Sequence, residues 1–203
     1  RDVGYNLFKH FSGGRTRELL PDWKAGRMSS REILLREAAM APCTEADLLT
    51  FLKDFDLDPG FPAFAERCLG QDLLLCIVSD GLDLYINHLL HRFDLDHLPL
   101  ITNHGYFNGS HIQIEFPHDN RHCTRCGSCK GERIREYREQ QNCSTRIIFI
   151  GDGLSDACAA HEADILFAKK DLERYCRMHD IACTSFADFF DVTRAMERLG
   201  VFA

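Results

Sequence analysis

The segment "RIIFIGDGLSDACAA", residues 146–160, places two carboxylates, Asp152 and Asp156, directly after an apolar run. Gly151 and Gly153 flank the first, and glycine lets a backbone turn sharply and approach a ligand closely. A carboxylate held in such a turn suits Mg2+, which takes one or two carboxylates together with phosphate oxygens and water. Asp156 falls in the first turn of the expected helix and opens on the same mouth. A single acid at a strand end more often fills a turn or caps a helix. The combination G-D-G-x-x-D after a buried strand favours the metal.

Two further groups are candidates to hold the anion that accompanies such a cation. In "CIVSDG", Ser79 closes an apolar run, and Asp80 and Gly81 lead into a helix beginning near Leu82. A hydroxyl and backbone N–H groups at a helix N-terminus make an anion site; a serine cap is the plainer alternative. Lys130, in "CGSCKGERIREY", starts a helix, where the dipole disfavours a cation. Its expected partner is therefore an anion, either a phosphate or Asp156, against the alternative of a solvated lysine.

"HCTRCGSCK" sets Cys123, Cys126 and Cys129 at C-x2-C-x2-C, with His118 and His122 close by. Three thiolates at this spacing with His122 as fourth ligand can hold a structural Zn2+. An iron–sulfur site would continue as C-x3-C-P, whereas the next cysteine here is Cys143. Three reduced thiols shaping the loop that aims Lys130 are the metal-free alternative.

The chain that must position these groups has 203 residues, enough for one domain with a proper core, alone or with a small insertion. Its net charge of −7 argues against nucleic acid as a partner, because a phosphate backbone wants a basic face. No apolar run approaches the roughly 18 residues needed to cross a bilayer, so no membrane partner is expected. The ten cysteines do not form a secreted disulfide framework. Several, such as Cys76 in "LLLCIVSD", sit in apolar runs as small hydrophobes, which points to a reducing, cytoplasmic setting.

Residues 4–55 read as three or four short amphipathic helices, with apolar positions three and four apart. Ser29 or Ser30 and Thr44 are the expected N-caps. From residue 60 apolar runs alternate with helices: a run in "DLLLCIVSDG", another in "LPLITN", a hairpin across "NG" in "GYFNGSHIQIEF", then "TRIIFIGDG" and "DILFAK". Continuous apolar strands linked by helices imply a parallel sheet covered on both faces. Ligands then bind at the carboxyl ends of the strands. Those ends are Ser79-Asp80-Gly81, Asn103-His104 and Gly151-Asp152-Gly153.

Ser79, Lys130, Asp152 and Asp156, in that order and context, resemble motifs II, III and IV of the haloacid dehalogenase (HAD) superfamily of phosphatases. The resemblance runs from about residue 60 to the end of the chain, and the first helices are similar to the helical cap of the phosphoserine-phosphatase-like branch. "VSDGLDLYI", "CGSCK", "FIGDGLSDACAA" and "DILFAKKDLERYC" look most like the group around the methionine-salvage hydroxy-ketomethylthiopentenyl-phosphate phosphatase and the phosphoethanolamine/phosphocholine phosphatases. The resemblance implies an α/β fold: a Rossmann-like parallel sheet (the HAD core) at 58–203, with a small N-terminal helical cap at 1–57. It also implies Mg2+-dependent hydrolysis of a small phosphorylated metabolite through an aspartyl-phosphate. Ser79, Asp80, Gly81 and Lys130 would take the phosphate, Asp152 the Mg2+, and Asp156 would pair with Lys130 or orient the metal shell.

The superfamily's D-x-D-G-T loop, which carries the attacking aspartate, follows a central strand that this sequence does not show. Asp54-Phe55-Asp56 in "KDFDLDPGF" ends a helical stretch and reads as an acidic linker. The attacking aspartate is therefore expected upstream of Arg1, since a sheet without its central strand would expose two inner edges. Asp2 would then lie close behind it as a substrate-facing candidate. Cap side chains such as Phe8, His10, Trp23 and Met28 are expected to set specificity. Two rival readings are a non-catalytic HAD-like binding protein and a metal or redox module built on the cysteine triplet.

Overall fold

A computed structural model describes residues 2–141 and 145–202; Arg1 and Cys143, both named above, lie outside them. The chain begins with helices α1 (Val3–Phe11), α2 (Leu20–Lys24), α3 (Ser30–Met40), α4 (Glu45–Leu52) and α5 (Phe61–Gly70). Then follow β1 (Ile77–Leu82), α6 (Asp83–His91), β2 (Leu100–Asn108), β3 (His111–Glu115) and α7 (Lys130–Gln141). The last elements are β4 (Ile148–Gly151), α8 (Ala157–Ala160), β5 (Ile165–Ala168), α9 (Lys170–Met178), β6 (Thr184–Ser185) and α10 (Phe189–Arg198).

The expected caps form. Ser29 Oγ accepts the Glu32 N–H at 3.1 Å while Glu32 returns a bond to the Ser29 N–H. Thr44 and Asp47 repeat the arrangement at the start of α4. Each reciprocal pair satisfies two of the orphan N–H groups of a first turn.

The chain divides into two compact units. The first comprises Arg1–Leu57 and Ile77–Ser128. In it β1 pairs with β2 in parallel and β2 with β3 antiparallel. Helices α1, α3 and α4 pack Leu7, Phe8, Leu34, Ala38, Leu48 and Leu52 against Tyr85 of α6 and Ile112 and Ile114 of β3. The second unit comprises Asp58–Cys76 and Cys129–Ala203. Its strands β4, β5 and β6 run parallel, and Phe64, Phe167, Val192 and Met196 fill its core. The described strands thus form two three-stranded sheets, with β1 and β4 each at an edge of its own.

Two local expectations are corrected. The stretch 72–76 is not strand: Leu73 N–H donates to Cys68 O at 2.9 Å, which closes α5, and β1 begins only at Ile77. The hairpin turn is centred one residue later than "NG". Asn108 pairs with His111, leaving Gly109 and Ser110 as the loop, with φ +62° at Gly109. Glycine at the first central position is the II′ arrangement, whose twist matches the strands. No helix among the described residues is long and apolar enough to cross a membrane.

Candidate active site

Strand β4 ends at Gly151 and hands the chain to Asp152 in the second unit. The two carboxylates that follow have different surroundings. Asp156 is buried, and its Oδ2 accepts the N–H groups of Asp152 and Gly153, both at 2.9 Å. Its Oδ1 accepts from Lys130 Nζ at 2.5 Å, and the same ammonium donates to Ser155 Oγ at 3.0 Å. Gly151 is required by this closeness: a Cβ there would lie 2.6 Å from Asp156 Oδ2. The Asp156 charge offsets the cost of seating Lys130 at the N-terminus of α7. Asp156, one of the two partners expected for Lys130, is in contact with it.

Asp156 is thereby occupied as a strut that fixes the turn, and Asp152 remains as the half-exposed carboxylate. It takes a cation here, the Lys170 ammonium, whose Nζ lies 2.7 Å from Asp152 Oδ2. A hard, anionic, accessible oxygen donor beside glycines fits Mg2+, which keeps part of its water and binds through few carboxylates.

In the first unit Ser79, Asp80 and Gly81 lie on the last residues of β1. Ser79 Oγ accepts the Gly81 N–H at 3.0 Å, an arrangement that turns the hydroxyl toward its own loop. The Asp80 carboxylate is a fastening: its Oδ1 accepts the Ser128 N–H at 2.7 Å. Asn103, fully buried within β2, donates Nδ2 to Asp80 O at 2.9 Å. Asp83 clamps the next turn, accepting the Gly105 N–H at 2.8 Å and meeting His104 Nδ1 at 2.7 Å. That contact raises the His104 pKa, first through the hydrogen bond and then through the carboxylate charge.

Glu37 was not among the candidates. It is buried on α3, and burial first, then the charge of Asp2, pushes its carboxyl up to about 8. The sequence did carry a signal, because Glu37 interrupts the inward stripe of Leu34, Ala38 and Ala41.

Two of the specificity candidates are removed. Phe8 is fully buried and Met28 nearly so, so both serve packing and neither can read a substrate. Trp23 donates Nε1 to Ser30 Oγ at 3.1 Å, and His10 packs on Phe11 and Phe51. Asp2 is the N-cap of α1, accepting the Tyr5 N–H at 2.9 Å. Asp56 pairs with Arg92 at 2.6 Å in the stretch after α4, as an acidic linker would.

Each unit carries its own close pair of thiols. Cys123 and Cys126 have their sulfurs within 4.8 Å in the first, and Cys129 and Cys158 within 4.8 Å in the second. Cys158 was not a candidate ligand in the sequence. Gly131 explains how close α7 and α8 come, since a Cβ there would lie 2.7 Å from Cys158 O.

Solved structures share this fold. A phosphoserine phosphatase carrying a phospho-aspartyl intermediate analogue superposes with a TM-score of 0.69, covering 95% of this chain and 90% of that one at 13% identity. A substrate-bound phosphoserine phosphatase complex gives 0.69 at 14% identity, with coverage of 95% and 90%. The protein has the fold of these phosphatases and is itself a phosphoric monoester hydrolase. More narrowly, the chain belongs to the family described as "Putative Phosphatase", whose profile matches residues 30–187. It is 30% identical over 190 residues to the 2-hydroxy-3-keto-5-methylthiopentenyl-1-phosphate phosphatase of Brevibacillus brevis, covering 88% of this chain and 84% of the relative. The enzyme of the same name from Bacillus velezensis is also 30% identical, with 96% and 83% covered.

Proposed function

We propose that this phosphatase is Mg2+-dependent and hydrolyses a small phosphomonoester through an aspartyl-phosphate. The observation that carries this reading is the division of labour between Asp156, buried and tied to Lys130, and Asp152, left accessible to a cation. A turn held by its own buried ion pair needs no metal to stay folded, so the second carboxylate is spare for one. When bound, Mg2+ offsets the negative charge on the phosphoryl group and on the attacking carboxylate.

By the superfamily resemblance, Ser79, Gly81 and the backbone of Asp80 take phosphoryl oxygens, as does Lys130. Positioning and electrostatics then supply most of the rate. Nucleophilic attack is assigned to the aspartate of the superfamily's D-x-D loop. By the same resemblance residues 1–57 are the helical cap and 58–203 the core. A structural zinc on Cys123, Cys126, Cys129 and His122 belongs to the same reading and rests on the C-x2-C-x2-C spacing.

The test is phosphate release by the full-length protein from p-nitrophenyl phosphate, phosphoserine and 2-hydroxy-3-keto-5-methylthiopentenyl-1-phosphate, with and without Mg2+. Activity on at least one substrate, dependent on Mg2+ and lost in Asp152→Asn, is expected. Hydrolysis indifferent to that substitution overturns the assignment.

A further inference from the structure

The Asp152 carboxylate already has a cation of the chain's own. Lys170 Nζ donates to Asp152 Oδ2 at 2.7 Å, and among the described residues no other group bonds to that side chain. The next lysine along behaves differently: Lys169 Nζ turns to Ala187 O at 3.1 Å. Two consecutive lysines therefore diverge, and only one is delivered to the candidate metal carboxylate.

The backbone is arranged for that delivery. Lys170 sits at φ +53°, the left-handed region that residues with a Cβ avoid. The loop is pinned on both sides of it. Lys169 N–H donates to Gly151 O at 3.2 Å, and the N–H groups of Asp171 and Leu172 both donate to Asp152 O, at 3.1 and 3.2 Å. The first turn of α9 is thus fastened to the end of β4, and the unfavourable φ falls on the residue whose ammonium meets Asp152. Strained residues that persist do so because surrounding contacts over-determine them, and they gather at functional sites.

We propose that Lys170 is a resident counter-ion of Asp152, which a divalent cation must displace, and that it sets the cation affinity of the site. The inference rests on the reading of Asp152 as the cation-holding carboxylate. Lys170 is a positioning residue in this account, acting on the reaction only through Asp152. An ammonium at this distance neutralises the carboxylate while the cation is away and opposes the cation's arrival. Both side chains are well exposed, Lys170 at 60% and Asp152 at 46%. Exposed pairs of this kind are worth a factor of about 1.5 to 5 in an equilibrium constant. Such a pair tunes the site without shutting it.

The experiment is Mg2+ titration of the full-length protein by calorimetry, without substrate, alongside the Mg2+-induced rise in Tm. Lys170→Met keeps the aliphatic stem and removes the charge; it should tighten Mg2+ binding about two- to five-fold and enlarge the Tm rise. Lys170→Arg restores the charge and should return both readouts to the wild-type values. Unchanged or weaker Mg2+ binding in Lys170→Met, with Asp152→Asn losing it, overturns the counter-ion role and leaves the Asp152 assignment standing. Wild-type Mg2+ binding in Asp152→Asn removes both. Should Lys170→Met fold poorly, Lys170→Gly removes the same charge, relieves the left-handed backbone, and must show the same tightening.

Discussion

Lys130 Nζ lies 2.5 Å from Asp156 Oδ1, and both side chains are more than nine-tenths buried. Removing one member of a buried pair strands the other charge, at a cost of about 3–5 kcal/mol. The two losses should differ. Lys130→Met leaves Asp156 with two backbone N–H donors, so it should fall near the low end. Asp156→Asn takes the carboxylate charge away from an ammonium seated at a helix N-terminus, and should fall near the high end. The double variant should cost less than the sum of the singles. Urea unfolding of the four proteins measures all three statements, and additive losses would contradict the pairing.

Asp152 presents the opposite case. Its partner Lys170 is exposed and the pair is solvated, so Asp152→Asn should change stability by less than about 1 kcal/mol. Phosphate release should nevertheless fall by roughly 100-fold or more, the scale of losing an electrostatic stabiliser of the transition state. Chelation of the wild-type protein should produce the same loss, and added Mg2+ should reverse it in wild type alone. A variant that unfolds and loses activity together would show that Asp152 is structural.

How far these groups could be read in the sequence depended on whether local rules governed them. The caps at Ser29 and Thr44 and the alternation of strand and helix follow from propensity and spacing, and were legible. The meeting of Asp156 with Lys130 was legible because a glycine-flanked acid and a lysine at a helix start both break local preference. The fastening of the Asp80 carboxylate to Ser128 was not legible, because that partner lies 48 residues away, where no spacing rule reaches. The burial of Phe8 and Met28 was not legible, because an apolar residue among short helices has the same sequence signature whether it faces inward or outward. Lys170 escaped notice since its left-handed φ has no signature in a non-glycine residue.

The zinc reading makes its own measurement. Purified protein should carry about one zinc per chain if the thiolates close a four-coordinate structural site. Cys129 is fully buried, so Cys129→Ser should release the metal and lower the Tm with it. A protein that is fully folded and free of zinc by elemental analysis removes this part of the proposal and leaves the phosphatase chemistry untouched.

Glu37 gives a prediction whose sign is fixed by linkage. Burial and Asp2 push its carboxyl from 4.5 to about 8, so the folded protein binds a proton there that the unfolded chain has already lost. Stability falls with rising pH wherever the native state holds more protons, here between about 4.5 and 8. Below that window both states are protonated and Glu37 costs nothing; above it both are ionised and the full penalty stands. At 1.36 kcal/mol per unit, that penalty is at most about 5 kcal/mol. Glu37→Gln has a similar shape and cannot ionise, so it should match wild type near pH 4.5 and gain on it steadily up to pH 8. Urea midpoints at several pH values across this range measure the divergence. Parallel curves would mean that the carboxylate finds a compensating cation in solution, and that its burial carries no penalty.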